Sequence, residues 1–218
     1  VLAESLFPAI IESSNDAILS KTLDGVITSW NPAATRIFGY SAEEMLGQSV
    51  MCLFPAERLG EEALILQKIA RGEQVNHFET VRVHKSGRPV SVSVTVSPVR
   101  DGAGRIIGAS KIVRDISEEI DNYRQLEQFR SLVTSSFDAI LTKDMKGIVR
   151  SWNPACERIF GYTAAEMVGE PIQTLIPPER RHEDQAILAR IQAGERIDPL
   201  ETERLRKGGE RIQVSITL

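Results

Sequence analysis

Between Val90 and Val96 the chain alternates, with Val90, Val92, Val94 and Val96 set against Ser91, Ser93 and Thr95. A period of two sends successive side chains to opposite faces, so this stretch reads as a half-buried strand with one wet face. Residues 77–84 read as a strand before it, joined through Lys85-Ser86-Gly87, and Arg105 to Val113 as a strand after the turn Asp101-Gly102-Ala103-Gly104. Upstream, Ala17-Ile18-Leu19-Ser20 and Val26 to Trp30 flank Asp24-Gly25, a two-residue hairpin signal because glycine tolerates positive φ. Short helices fill the middle. Asn31 caps one that starts at Pro32 and stops by Gly39. Ser41 and Glu44 form a capping box for a second, closed by Gly47. Pro55 and Glu57 lead into a longer helix with Ala63, Ile65, Leu66 and Ile69 apolar, ended by Gly72. Residues 2–13 form an amphipathic lead-in that places Leu2, Leu6, Ile10 and Ser13 near helical spacing, with Phe7 and Ile11 beside them and Pro8 limiting its regularity. The expected class is α+β: an antiparallel sheet with helices gathered on one side.

This pattern occurs twice. Ser29-Trp30-Asn31-Pro32-Ala33, then Arg36-Ile37-Phe38-Gly39-Tyr40, Ala42, Glu44, Met45 and Gly47, returns as Ser151-Trp152-Asn153-Pro154-Ala155, Arg158-Ile159-Phe160-Gly161-Tyr162, Ala164, Glu166, Met167 and Gly169. At a constant offset of 122, residues 10–96 match residues 132–218 at 40 of 87 positions. So long a period fits two copies of one domain in tandem. The second copy stops at Leu218, the partner of Val96, so the counterparts of 97–113 are expected to be missing, leaving an open sheet edge that another chain can fill. The abrupt start and finish fit a fragment of a larger protein.

Between the copies, Asp115 with Glu118 reads as a capping box for a helix at 116–133. Ile116, Ile120, Tyr123, Leu126 and Val133 step by three, four and seven, and most residues between them are polar or charged. The expected division is therefore 1–115, a stiff connecting helix 116–133, and 134–218. Its apolar stripe suits docking on its own domain or pairing with another chain. With 42% hydrophobic and 26% charged residues the composition is that of a soluble protein. A net charge of −4, without a basic cluster interleaved with aromatics, argues against nucleic-acid binding. Cys52 faces Thr174 and Cys156 faces Ala34 in the repeat, so neither a disulfide framework nor a cysteine-rich metal site is expected. No apolar run reaches membrane-spanning length, and a cytoplasmic fragment is expected, with membrane anchoring of the parent protein left open.

The order of elements, the Asn-Pro-Ala…Phe-Gly-Tyr…Glu…Gly stretch and the Arg114-Asp115-Ile116-Ser117 exit together resemble the PAS family, over nearly the whole chain and twice. The resemblance implies two domains, each a five-stranded antiparallel sheet cupping a pocket against short helices, the second lacking its last strands. It implies a sensory and dimerisation role upstream of an output such as a histidine kinase or diguanylate cyclase. Signals would leave through a junction matched here by Asp115, Ile116 and Ser117. Residues matching the pocket position are Ile37, Phe38, Ile65 and Ile69 in the first copy and Ile159, Phe160, Ile187 and Ile191 in the second.

Cofactor readings start from family motifs. Haem-binding relatives use a histidine on the longest helix after a Pro-x-x-Asp-Arg segment. Pro55-Ala56-Glu57-Arg58 and Pro177-Pro178-Glu179-Arg180 match the segment, but the ligand position holds Glu61 and Glu183. His182, one position early, is rotated about 100° from it, so a solvent-facing histidine is preferred to a haem ligand. Cys52 lacks the Gly-Arg-Asn-Cys-Arg setting of flavin-adduct relatives, and Cys156 lies on the wrong helix; each reads as a small buried hydrophobe. Asn76-His77-Phe78 and Asp198-Pro199-Leu200 stand where redox flavin domains carry tryptophan. Trp30 and Trp152, at strand ends, read as core or interface in preference to a ligand stack. His77 and His84 have no repeat equivalents, so no shared metal site is expected. Glu79 with Thr80, and Lys85, recur as Glu201 with Thr202, and Lys207; solvated pairs are preferred to interior ones. No phosphate loop, metalloprotease helix, nucleophile elbow or kinase signature is present, so no catalysis is expected of the fragment.

The reading is a tandem PAS sensory and dimerisation region: a homodimer through helical segments or the sheet, open to a small molecule of unknown identity, with no cofactor favoured and no nucleic-acid or membrane partner within the fragment. The rival is a structural interaction module with both interiors packed solid; a haem or flavin sensor is the weakest reading.

Overall fold

The computed structural model describes residues 2–195 and 199–218, without the side chains of residues 2–5 and Gln185. Asp198 and the Leu2 side chain therefore lie outside the described residues. Two compact units divide at Arg124/Gln125.

In the first unit, Ala17, Leu19 and Lys21 alternate inward along β1 (Ala17–Thr22). A tight turn with Gly25 at φ 82 returns the chain as β2 (Ile27–Trp30). β3 (Val75–Val83), β4 (Pro89–Arg100) and β5 (Ile106–Asp115) complete one antiparallel sheet in the order β2-β1-β5-β4-β3. Val90, Val92, Val94 and Val96 are all buried, as their alternation requires. β3 starts two residues before its expected position, and a bulge between Val75 and Phe78 holds His77 at φ 47. Preceding the sheet is α1 (Leu2–Ser13), whose Phe7 and Ile10 are exposed.

The helices cover one face of the sheet. α2 (Pro32–Phe38) starts under the Asn31 cap and ends at Gly39 in the left-handed region. α3 (Ala42–Met45) has the Ser41/Glu44 capping box. A 3-10 turn over Val50–Leu53 follows, then one over Ala56–Arg58, then α4 (Gly60–Ala70). Leu19, Phe38, Met45, Val50, Leu53, Ile65 and Ile69 pack with the β4 valines into the core. Burying an aliphatic or aromatic side chain of this size contributes roughly 1.5–3 kcal/mol, so this cluster is the main favourable term.

α5 (Ser117–Ser135) is one continuous helix. The second unit then repeats the order: β6 (Leu141–Lys143), β7 (Val149–Trp152), α6 (Pro154–Phe160), α7 (Ala164–Met167), 3-10 turns over Ile172–Leu175 and Pro178–Arg180, α8 (Arg181–Gln192), β8 (Leu200–Leu205) and β9 (Arg211–Ile216). Its strands form two two-stranded antiparallel sheets among the described residues, β6-β7 and β8-β9. No helix of the described residues is long and apolar enough to cross a membrane.

Candidate functional site

Beneath α4 the first unit buries charge. Lys21 on β1 and Lys111 on β5 both point inward, because each continues an inward alternation: Ala17, Leu19, Lys21 and Ala109, Lys111, Val113. They share the carboxylate of Glu62 on α4; Lys111 Nζ lies 2.8 Å from Glu62 Oε2, and Lys21 meets Oε1. Beside them Arg82 Nη1 on β3 donates to Glu61 (2.9 Å), to Thr80 Oγ1 (3.1 Å) and to the Val81 carbonyl (2.8 Å). The Arg82 guanidinium lies 3.8 Å from the centroid of the Phe54 ring, which replaces part of its lost hydration.

Burial governs the titration of these groups. It pushes the Lys21 ammonium down to about 6, with Lys111 and Arg82 adding repulsion. It pushes Lys111 down to about 7, with Arg82 again repelling. Burial also lowers Arg82, against the opposing pull of Glu61. Burial raises the Glu61 carboxyl, but hydrogen bonds from Arg58, Thr80 and Arg82 outweigh it and leave the group below the usual carboxylate range. One carboxylate, Glu62, cannot hold two lysines charged in a low dielectric, and the downward direction follows.

The second unit repeats the arrangement. Arg180, Glu183, Thr202 and Arg204 stand for Arg58, Glu61, Thr80 and Arg82: Arg180 donates to Glu183 at 2.8 Å and Thr202 donates to Glu183 at 2.8 Å. Lys143 pairs with Asp184 as Lys21 does with Glu62. Sequence reasoning did not single out Lys21, Glu62 or Arg82, and met Glu61 only at the haem-ligand position; its expectation of solvated pairs concerned Glu79, Lys85 and their repeats, and Glu79 and Glu201 are exposed. Lys85 and Lys207 do make half-exposed pairs, but with Glu44 and Glu166 at the capping boxes, not across strands. The overlooked signal was the strand period itself, which already points Lys21 and Lys143 inward.

The residues matched to the pocket are distributed unevenly. In the first unit Phe38 lines a cavity of about 10 Å³ with Leu53, Phe54, Arg82 and Lys111, whereas Ile37, Ile65 and Ile69 belong to the packed core. A cavity of that volume holds neither a haem nor a flavin. In the second unit Ile159, Phe160 and Ile187 line an open groove of about 990 Å³ with Lys143, Asp184 and Arg204, while Ile191 is 37% exposed. His182 sits exposed in the first turn of α8. Cys156 is buried, its Sγ 3.4 Å from the Ile140 carbonyl. Cys52 is exposed, which corrects its expected burial: at three residues per 3-10 turn, Val50 and Leu53 face inward and Cys52 faces out. Trp30 and Trp152 are core, each tilted on the phenylalanine of the following helix at 5.7 and 5.6 Å. No group of three or more histidine, cysteine or acidic side chains that would hold a metal occurs among the described residues.

Both ends of α5 are bonded into their own units. At its start Ile116 N donates to the Ser91 carbonyl (2.9 Å) and Ser91 N donates to Ser117 Oγ (3.2 Å). Asp115 Oδ1 accepts from Ser117 N at 2.9 Å. The reciprocal Glu118 contact of a capping box does not form among the described residues, because Asp115 ends β5 and its backbone pairs with Val92 of β4. At the far end the Asn153 amide donates to the Val133 carbonyl of α5 and to the Asp138 carbonyl, both at 3.0 Å. Its Oδ1 accepts from Ile140 N and Cys156 N, again both at 3.0 Å. Asn31 repeats all four bonds with Ile11, Asp16, Ile18 and Ala34.

The first unit is thus a five-stranded antiparallel sheet flanked by capped short helices and followed by an exit helix bonded to it. Family comparison agrees. A PAS fold model matches residues 5–116 and a PAS domain model matches residues 138–218, so the chain belongs to the PAS family, in tandem. It is 23% identical over 172 residues to a phytochrome of Picea abies, covering 74% of this chain and 15% of that protein. It is 26% identical over 180 residues to the biofilm dispersion protein BdlA of Pseudomonas aeruginosa, covering 80% of this chain and 42% of that one. The signal transduction histidine-protein kinase AtoS of Escherichia coli is 29% identical over 125 residues, 57% of this chain and 20% of the kinase. The chain thus spans less than half the length of each of these relatives. Among solved structures, a PAS domain from Colwellia psychrerythraea superposes with a TM-score of 0.50 at 24% identity, covering 53% of this chain and 98% of that domain. Relatives among phytochromes, BdlA and a signal transduction histidine-protein kinase support a signalling role.

Proposed function

We propose that this chain is the sensory and dimerisation region of a signal-transduction protein, and that α5 transmits changes in the first domain to the second and onward to an output outside the chain. A histidine kinase or a diguanylate cyclase is the output class we favour, the first because of the likeness to AtoS. The carrying observation is that α5 is hydrogen-bonded into the sheet of the first domain at Ser91 and into the core of the second at Asn153. A rotation of the helix must break or remake these bonds, which gives it discrete poses to choose between. Tyr123, Leu126, Phe129 and Leu132 are all more than half exposed along α5. We assign this stripe to a homodimer. The fragment itself acts without catalysis in this reading.

The test is a fusion of the chain to a histidine-kinase core with one to seven residues inserted after Arg124. Transmission through α5 gives autophosphorylation that rises and falls with the helical repeat. Activity indifferent to insertion length removes α5 from the signal path.

A second reading, a ligand-free interaction module, is favoured in the first domain by the cavity between sheet and helices beside Phe38 and Phe54, which holds only about 10 Å³. Native mass spectrometry of the purified chain separates the two through bound mass and subunit number.

A further inference from the structure

Lys21, Arg82 and Lys111 are 2, 4 and 3% exposed, and the carboxylates that meet them are Glu61 and Glu62. Three buried cations therefore face two carboxylates, and Arg58 at the rim draws on Glu61 as well. All the recorded donations of Arg82 run through Nη1; its Nη2 is buried and has no hydrogen-bond partner among the described residues. Arg82 and Lys111 both line the cavity beside Phe54, whose volume of about 10 Å³ is room for about one water-sized sphere. An unmatched charge in such surroundings is costly, and it is relieved by losing a proton or by gaining an anion. In the second domain Lys143 meets Asp184 and Arg204 lies near Glu183, and Ile176 stands in place of Phe54.

We propose that the interior of the first domain binds one compact monovalent anion, of the chloride class, in the cavity between Arg82 and Lys111, and takes up one proton on the Lys21–Lys111 pair as it does so. The anion receives the free Arg82 Nη2 donor, and the proton keeps both lysines charged around Glu62. Charge then balances: three cations face two carboxylates and one anion. The buried charged side chains around the pair are Glu61 and Glu62 from α4 and Arg82 from β3; Arg58, from the turn before α4, pairs with Glu61 at the solvent-exposed rim and stands outside this balance. This site does not depend on α5, so its failure leaves the transmission reading standing.

The test is thermal unfolding of the chain as chloride replaces gluconate at constant ionic strength, at about pH 6 and about pH 8, with chloride binding followed by chlorine NMR line broadening. Saturable stabilisation is expected, with apparent affinity tightening about tenfold per pH unit on acidification while one proton is coupled. Lys111→Met and, should that variant not fold, Arg82→Lys are expected to abolish both the saturation and its pH dependence. Equal melting in the two anions overturns the proposal, and so does unsaturable stabilisation, which is a general salt effect. Saturable binding that survives both substitutions, or that ignores pH, overturns it too.

Discussion

The Asn153 side-chain amide donates to the Val133 carbonyl at 3.0 Å, joining the last turns of α5 to the start of α6. Asn31 makes the same bond to Ile11 at 2.9 Å, at the end of α1. One buried amide thus satisfies two carbonyls and two backbone N–H groups, the full capacity of its oxygen and nitrogen.

Asn153→Ala removes a helix cap and leaves buried partners unpaired, so it is expected to destabilise the second domain by about 2–4 kcal/mol. Asn31→Ala should cost the first domain a similar amount. Denaturant unfolding of each variant gives the size, and a loss below about 0.5 kcal/mol at both sites contradicts the bonding described.

Glu62→Gln leaves two buried lysines without their carboxylate. The first domain should lose about 3–5 kcal/mol, the cost of breaking a buried pair from one side. Adding Lys21→Met and Lys111→Met to that variant should recover most of it. Failure of the triple variant to exceed the single one means that the charges are not the cause.

Stability of the first domain should rise with pH from neutrality upward. Folded Lys21 and Lys111 titrate at about 6 and about 7, against an ordinary lysine value near 10.4 in the unfolded chain. Between those limits the unfolded chain binds more protons, so raising pH favours the folded form, by at most about 1.4 kcal/mol per pH unit per proton. Below about pH 6 both states are protonated and this contribution to the slope vanishes. Lys111→Met should flatten the curve; an unchanged slope assigns the dependence elsewhere.

Gly39 and Gly161 both sit at positive φ, 78 and 80°, where each closes the helix after the Asn-Pro start. A Cβ on Gly39 would lie 2.3 Å from His84 Nε2, whereas one on Gly161 would meet Lys207 Cβ at 3.5 Å. Each alanine carries about 1 kcal/mol of backbone strain. Gly39→Ala should cost more than Gly161→Ala, and His84→Ala in the same chain should remove the difference.

The two-domain repeat, the strand alternation, the capped helix starts and the glycine stops were all legible in the sequence, because each rests on local geometry. The interior charge was legible in principle, since the period of β1 already aims Lys21 at the core. It was overlooked because composition favours placing lysine in solvent, and only the tertiary arrangement brings Glu62 of α4 over both β1 and β5. Cys52 was misplaced for a different reason: a 3-10 turn changes which residues share a face. The bonds of Asn153 to Val133 and Asp138 cross 20 and 15 residues and follow from packing, whereas its cap on α6 was readable from Asn-Pro alone.

Coupling through α5 is tested most directly by amide hydrogen exchange at Ile140 and Cys156, the two N–H groups held by Asn153 Oδ1. The first domain is perturbed by Gly39→Ala, with α5 either intact or interrupted by Gly-Gly at Arg124 and Gln125. Transmission along the helix gives faster exchange at both amides in the intact chain and no change in the interrupted one. Identical exchange in perturbed and unperturbed chains with α5 intact contradicts it.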